Sequence, residues 1–245
     1  MADGRFAAMA ASGGPLPEPA RGGQQQIPRP TGWQTGPAAP WANRTEPPTL
    51  PLAAVRRRLA DLPVPRDFPE AVTALAIERR ASAVLVALFE QAGETRLILT
   101  KRPETMPSHQ GQIAFPGGKM EEAVDVDLRA TALREAHEEV GLEPAAVEIV
   151  AQLDGLGTIG SRFMITPFVG VLGSEPALRP DPREVVRVFD VALVDLLAPG
   201  VHHAEHWSTP MAELDVHFFD LAGETVWGAT ARILYGFLRF LVADE

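Results

Sequence analysis

Cysteine is absent from the 245 residues, and no apolar run approaches the roughly 18 residues needed to cross a bilayer. The first absence excludes disulfides, thiolate zinc sites and a cysteine nucleophile, and it suits a reducing compartment, so the cytoplasm is the expected location. The second predicts a soluble chain with no membrane partner. The stretch Phe6 to Ala11 also lacks the basic flank of a signal peptide. Positive charge is scarce as well. Twenty-two basic residues stand against 32 acidic ones, for a net charge of -10, which repels nucleic acid and leaves it out of the expected partners. Any phosphate site must therefore be local, built from a few basic groups, backbone amides or a metal.

What is present is enough for one substantial core: 46% of the residues are hydrophobic. Residues 1–50 contain 16 Gly plus Pro and show no helical or strand period, so a flexible arm is expected over 1–48 and a single folded domain over 49–245. Trp33 and Trp41 are read as incidental aromatics of that arm, with docking on the domain or on a partner as the alternative. Leu52, Val55, Leu59 and Leu62 predict a short amphipathic helix. Strands are predicted at Ala83 to Phe89 and Arg96 to Thr100, joined by a hairpin turn, and again at Val147 to Leu153, Met164 to Leu172, Val185 to Val191 and Val216 to Phe219. Helical spacing returns from Trp227 to Val242, read as core packing with Trp227 part of the structure. His202, His203 and His206 are read as loop residues, because no cysteine or carboxylate spacing supports zinc. Interleaved strands and helices favour a layered α/β fold.

The most informative segment is Phe115-Pro116-Gly117-Gly118, followed by an acidic loop and then Leu128 to Gly141. Paired glycines after a strand let the backbone turn sharply and approach a ligand. Leu128, Ala132, Ala136 and Val140 form an apolar stripe that should pack on the sheet. Asp125 and Asp127 suit the start of this helix and Gly141 its stop. Glu135, Glu138 and Glu139 fall within an arc of about 100 degrees, where like charges repel unless a cation joins them. The plainer alternative is a solvated acidic face, with Arg134 paired to Glu138.

Arg134-Glu135-Ala136-His137-Glu138-Glu139-Val140-Gly141-Leu142 resembles the second half of the Nudix box, matching every specified position. The first half departs from the pattern. Gly118 lies 16 residues before Arg134, and the position eight before the arginine is Val126 rather than Glu. Asp125, Glu122 and Glu121 are the candidates to replace it. Leu99 to Arg102 and Gln110 to Gly118 are similar to the signature of the coenzyme A pyrophosphatase subfamily, with Pro103 and Pro107 as departures. Thr166 to Gly170, Glu184-Val185 and Val226 to Ala231 extend the similarity across roughly residues 80 to 242.

The resemblance implies an α/β Nudix fold: an α/β/α sandwich with a mixed β-sheet, the acidic helix on one face and the C-terminal helix on the other. It implies hydrolysis of a diphosphate bond in a small nucleotide derivative, with Mg2+ as cofactor and Mn2+ as a substitute. Glu135, Glu138 and Glu139 would be the metal ligands, joined by the Gly118 carbonyl. Arg134 would orient a ligand glutamate. Glu138, Glu139 or Glu184 would serve as base, Glu184 having the alternative of pairing with Arg183 or Arg187. Arg102, Lys101, Gly117 and Gly118 would contact substrate. Coenzyme A or an acyl derivative, cleaved to (acyl-)4'-phosphopantetheine and adenosine 3',5'-bisphosphate, is the leading expectation. ADP-ribose, a dinucleotide, or a non-catalytic nucleotide-sensing module are the alternatives. A homodimer is among the oligomeric states left open.

Overall fold

The run Ala83 to Phe89 is apolar at every position, which suits a strand buried on both faces rather than one with a wet side. In a computed structural model, which describes residues 21–23, 25–44, 48–65, 80–105, 110–158, 162–209 and 212–243, this run is the middle of a long central strand. In chain order the elements are β1 (Gln34–Thr35), α1 (Leu52–Ala60), β2 (Arg80–Gln91), β3 (Glu94–Lys101), β4 (Ile113–Ala114), β5 (Gly117–Lys119) and α2 (Leu128–Val140). There follow β6 (Val147–Gln152), β7 (Leu156–Gly157), β8 (Phe163–Leu172), β9 (Arg187–Ala192), α3 (Leu193–Leu196), β10 (His202–Ser208), β11 (Glu213–Leu221), β12 (Glu224–Trp227) and α4 (Gly228–Val242).

The larger sheet has the order β4-β3-β2-β8-β6, with β5 also on β2, β7 on β8 and β9 on β3. Strands β2 and β8 run parallel and the other pairs antiparallel, so the sheet is mixed, as expected. Alternation along β2 sends Ala83, Leu85, Ala87 and Phe89 into one core with Ala132, Ala136 and Val140 of α2. Val86 and Leu88 point into the other core, shared with Leu234, Leu238 and Leu241 of α4. The acidic helix and the C-terminal helix thus cover opposite faces of the sheet. The β2–β3 turn is tight because Ala92 and Gly93 both take positive φ, 54° and 82°, which matches the twist of a two-residue hairpin. Among the described residues no helix is long and apolar enough to cross a membrane.

A second, antiparallel sheet, β1-β10-β11-β12, lies outside the expected layers. It corrects two expectations. His202, His203 and His206 are not loop residues: they lie on β10, where His203 meets Asp220 at 3.2 Å and His206 meets Asp215 at 2.9 Å. Residues 21–23 and 25–44 do not behave as an arm, because they dock on this sheet. Gln34 and Thr35 pair with His206 and Glu205, and Arg29 Nε donates to both oxygens of the buried Glu205 carboxylate at 2.8 and 3.0 Å. Trp41 is 3% exposed, against His202 and Tyr235. A sheet edge with open backbone groups and a buried acid supplies the partners that this proline-rich segment cannot supply itself. The rest of the expected arm, residues 1–20, 24 and 45–47, lies outside the described residues.

Candidate active site

The glycine turn sits where strand β5 closes against β2, with Val84 opposite Gly117 and Ala83 opposite Gly118. Gly117 has φ 153°, and a Cβ there would lie 2.4 Å from the Ala83 carbonyl oxygen. At Gly118 a Cβ would meet the Glu135 carboxylate at 2.4 Å. Only glycine lets this backbone pass so close to β2 on one side and to a helix glutamate on the other.

Helix α2 begins as its sequence dictates: the Asp127 carboxylate accepts from the Ala130 N–H at 2.8 Å, and Gly141 ends it in the left-handed conformation at φ 73°. Glu139 follows the apolar stripe inward and is 3% exposed. Its Oε2 accepts from the Gly117 N–H at 3.1 Å, while Arg102 Nη1 stands 3.7 Å from Oε1. Burial pushes its pKa from 4.5 up to about 7, and the charges of Glu135 and Glu184 push the same way. Glu135 is raised as well, first by burial, with Glu138 and Glu184 adding repulsion against the pull of Arg134.

Arg134 explains the unusual loop before the helix. Its Nε and Nη2 donate to the two oxygens of Asp125 at 2.8 and 2.9 Å, and Nη1 reaches Glu135 at 3.0 Å and Glu138 at 2.9 Å. Asp125, itself buried, also accepts from the Thr131 hydroxyl and the Glu121 N–H. The Arg134 hydrogen bonds hold its carboxyl well below the usual carboxylate range. Of the three candidates for the missing acid of the first half-box, the structure pairs Asp125 with the arginine. Arg134 thus contacts two glutamates of the helix and also anchors the loop.

Between the two sheets lies a cavity of about 750 Å³. Arg102, Gly117, Gly118, Glu135, Glu139 and Glu184 all line it, which brings together six of the residues singled out by sequence. Two others lie elsewhere. Lys101 donates to the buried Glu224 at 2.9 Å, tying the two sheets, and is not among the lining residues. Glu138 also stands off the wall, more than half exposed and paired with Arg134. Glu184 is exposed at the rim. Neither arginine considered as its partner is bound to it: Arg183 turns to Asp181 and Arg187 lies over the Phe189 ring. His137 is exposed, and Pro107 lies outside the described residues.

Sequence reasoning missed the opposite wall. Trp207, Leu214, Val216, His217, Trp227 and Ile233 line it, so Trp227 is more than core structure. Only Trp227 carried a signal, through its place in the Val226 to Ala231 motif. The others depend on β10, β11 and α4 coming together over the site.

As the side chains stand, no group of three His, Asp or Glu residues among the described residues converges into an ion-holding set. The chemistry of the donors nevertheless fits a hard divalent cation. Glu135, Glu139 and Glu184 repel one another across the cavity, and a cation among them would remove that repulsion.

Comparison with known proteins bears on this geometry. The family model described as the NUDIX domain matches residues 79–212. The chain is 38% identical over 175 residues to Nudix hydrolase 22, chloroplastic, of Arabidopsis thaliana, covering 68% of this chain and 57% of that one. It is 35% identical over 169 residues to an uncharacterized Nudix hydrolase NudL of Photorhabdus laumondii, covering 69% and 89%. Nudix hydrolase 15, mitochondrial, of Arabidopsis thaliana is 36% identical over 163 residues, covering 63% and 56%. The chain thus spans little more than half the length of these plant relatives.

Proposed function

The chain belongs to the Nudix hydrolase family, whose domain model covers more than half of it, and on that premise we propose that it hydrolyses the diphosphate bond of coenzyme A or an acyl derivative. The observation that carries the hydrolytic reading is one cavity holding Glu135, Glu139 and Glu184 beside the Gly117-Gly118 turn, with Arg102 facing them. The coenzyme A reading adds the signature over Leu99 to Gly118, whose Arg102 lies at the site.

Glu135 and Glu139, with the Gly118 carbonyl, would hold magnesium, or manganese in its place; Glu138 joins them in this reading. When bound, the cation supplies positive charge against the diphosphate oxygens and acidifies a water molecule. Arg102 donates to phosphate oxygens, its guanidinium lining the cavity 3.7 Å from the buried Glu139 carboxylate. Glu184, on the exposed rim of the cavity, takes the proton from the attacking water. Arg134 holds Glu135 in position and fixes the approach loop through Asp125. Gly117 and Gly118 keep this wall free of side chains, so the diphosphate can lie against backbone.

Incubation of the purified chain with coenzyme A and magnesium, beside a metal-free control, tests the reading when products are identified by mass. Metal-dependent release of 4'-phosphopantetheine and adenosine 3',5'-bisphosphate is the expected result. No cleavage of coenzyme A, with cleavage of ADP-ribose or a dinucleotide, would move the substrate and keep the chemistry. Binding of all of them without turnover would make the chain a nucleotide-sensing module.

A further inference from the structure

A diphosphate occupies only a small part of a cavity of about 750 Å³. The remaining space faces a wall of different chemistry: Phe163, Ile165, Trp207, Leu214, Trp227 and Ile233. Four of these residues belong to the second sheet and to α4, and Leu214, Trp227 and Ile233 lie beyond the segment matched by the family model. This wall is a chamber added to the catalytic floor. Its titratable lining residues are Asp215, an acid, His217 and the exposed Arg232. His217 is held neutral near pH 7, because burial lowers its pKa to about 4, and its Nδ1 meets His202 Nε2 at 3.1 Å. A substrate arm that carries an extra phosphate finds little here to replace its water.

A buried donor lies within this wall. The Trp227 indole N–H is buried and has no hydrogen-bond partner among the described residues, although Trp227 lines the cavity. Trp207, whose ring centroid lies 6.4 Å away, has its own N–H satisfied by Glu205. A buried donor without a partner is costly, and an uncharged ligand carbonyl that reaches it after a small shift of the ring removes that cost.

Resting on the coenzyme A reading above, we propose that this chamber takes the uncharged, amide-bearing arm of the substrate rather than its nucleotide, with the Trp227 N–H donating to an amide carbonyl of that arm. Apolar segments of the arm pack on Leu214 and Ile233, and the charged nucleotide extends from the carboxylate end toward solvent. Trp227 is then a specificity-determining residue.

Calorimetric titration of the full chain, in magnesium, with 4'-phosphopantetheine and separately with adenosine 3',5'-bisphosphate tests the assignment in wild type and Trp227→Phe. The variant keeps an aromatic ring and removes the donor; its melting temperature verifies the fold. Phosphopantetheine binding is expected to weaken about fivefold, with adenosine bisphosphate binding unchanged. Unchanged phosphopantetheine binding, weakened nucleotide binding, or no phosphopantetheine binding by wild type would overturn it. Should Trp227→Phe fail to fold, quenching of wild-type tryptophan fluorescence decides instead: phosphopantetheine alone should quench, and quenching by the nucleotide alone, or by neither fragment, would overturn the assignment. Cleavage of coenzyme A is scored separately by product mass. A wild type that binds phosphopantetheine at this wall without cleaving coenzyme A therefore sinks the function and leaves the chamber.

Discussion

Two buried glutamates, one on each side of the cavity, are treated in opposite ways. Glu205 on the second sheet accepts from Arg29 Nε with both oxygens and from the Trp207 indole N–H. Glu139 on α2, equally enclosed, receives one backbone N–H and a guanidinium at 3.7 Å, while two other carboxylates face it. The first is a structural group whose charge is satisfied within the fold. The second keeps a charge that the fold leaves incompletely compensated, and such groups mark sites where a ligand is meant to finish the pairing. The difference separates the catalytic floor from the wall more clearly than burial does, since burial is the same.

The contrast is sharpest in turnover. Glu184→Gln, at the floor's rim, is expected to lower kcat by about a hundredfold or more with the magnesium requirement unchanged. Glu139→Gln should instead raise the magnesium concentration needed by about tenfold or more, as removal of a ligand does. A magnesium titration of both variants separates base from ligand, and Glu138→Gln belongs in the same series. If that variant leaves magnesium-dependent turnover intact, Glu138 is a partner of Arg134 and not a ligand.

Stability should invert the order. Glu205→Ala strands Arg29 and the Trp207 N–H, and Asp125→Ala strands Arg134; each is expected to cost about 3 kcal/mol in urea unfolding. Glu139→Gln should cost nothing in metal-free protein at pH 8, because it removes a disfavoured charge. Equal losses for Glu139→Gln and Glu205→Ala would erase the distinction.

The smaller effects are pH-linked. Glu139 has a folded pKa of about 7, raised above its ordinary 4.5, so the folded state binds the extra proton. Its contribution is fully present below pH 4.5 and is lost as pH rises to about 7. Metal-free wild type should therefore lose melting temperature relative to Glu139→Gln across that window. Magnesium, which competes with the proton, should raise the wild-type melting temperature by a few degrees more at pH 8 than at pH 6. Parallel pH profiles for the two proteins would remove Glu139 from the titrating set.

Much of the catalytic floor was legible because its information is local. Asp127, Ala132, Ala136, Val140 and Gly141 lie within one helix and its caps, and a helix repeats every 3.6 residues whatever surrounds it. The apolar run of β2 announced a strand buried on both faces. Strand β10 was not legible, since His202-His203-Ala204-Glu205-His206-Trp207 alternates polar groups whose partners lie far along the chain. Lys101 looked like a phosphate contact for the same reason: its partner Glu224 is 123 residues away. Trp41 looked incidental until His202 and Tyr235 were brought beside it.

By itself, then, the sequence determined the acidic helix, its caps, the glycine turn and the strands that pack beneath them, because propensity, period and capping act over a few residues. The tertiary structure decided which acid holds Arg134, which glutamates face the cavity, and that β10, β11, β12 and α4 build its far wall. Those outcomes depend on pairings between distant segments, whose energies come from burial and charge compensation that no local pattern records.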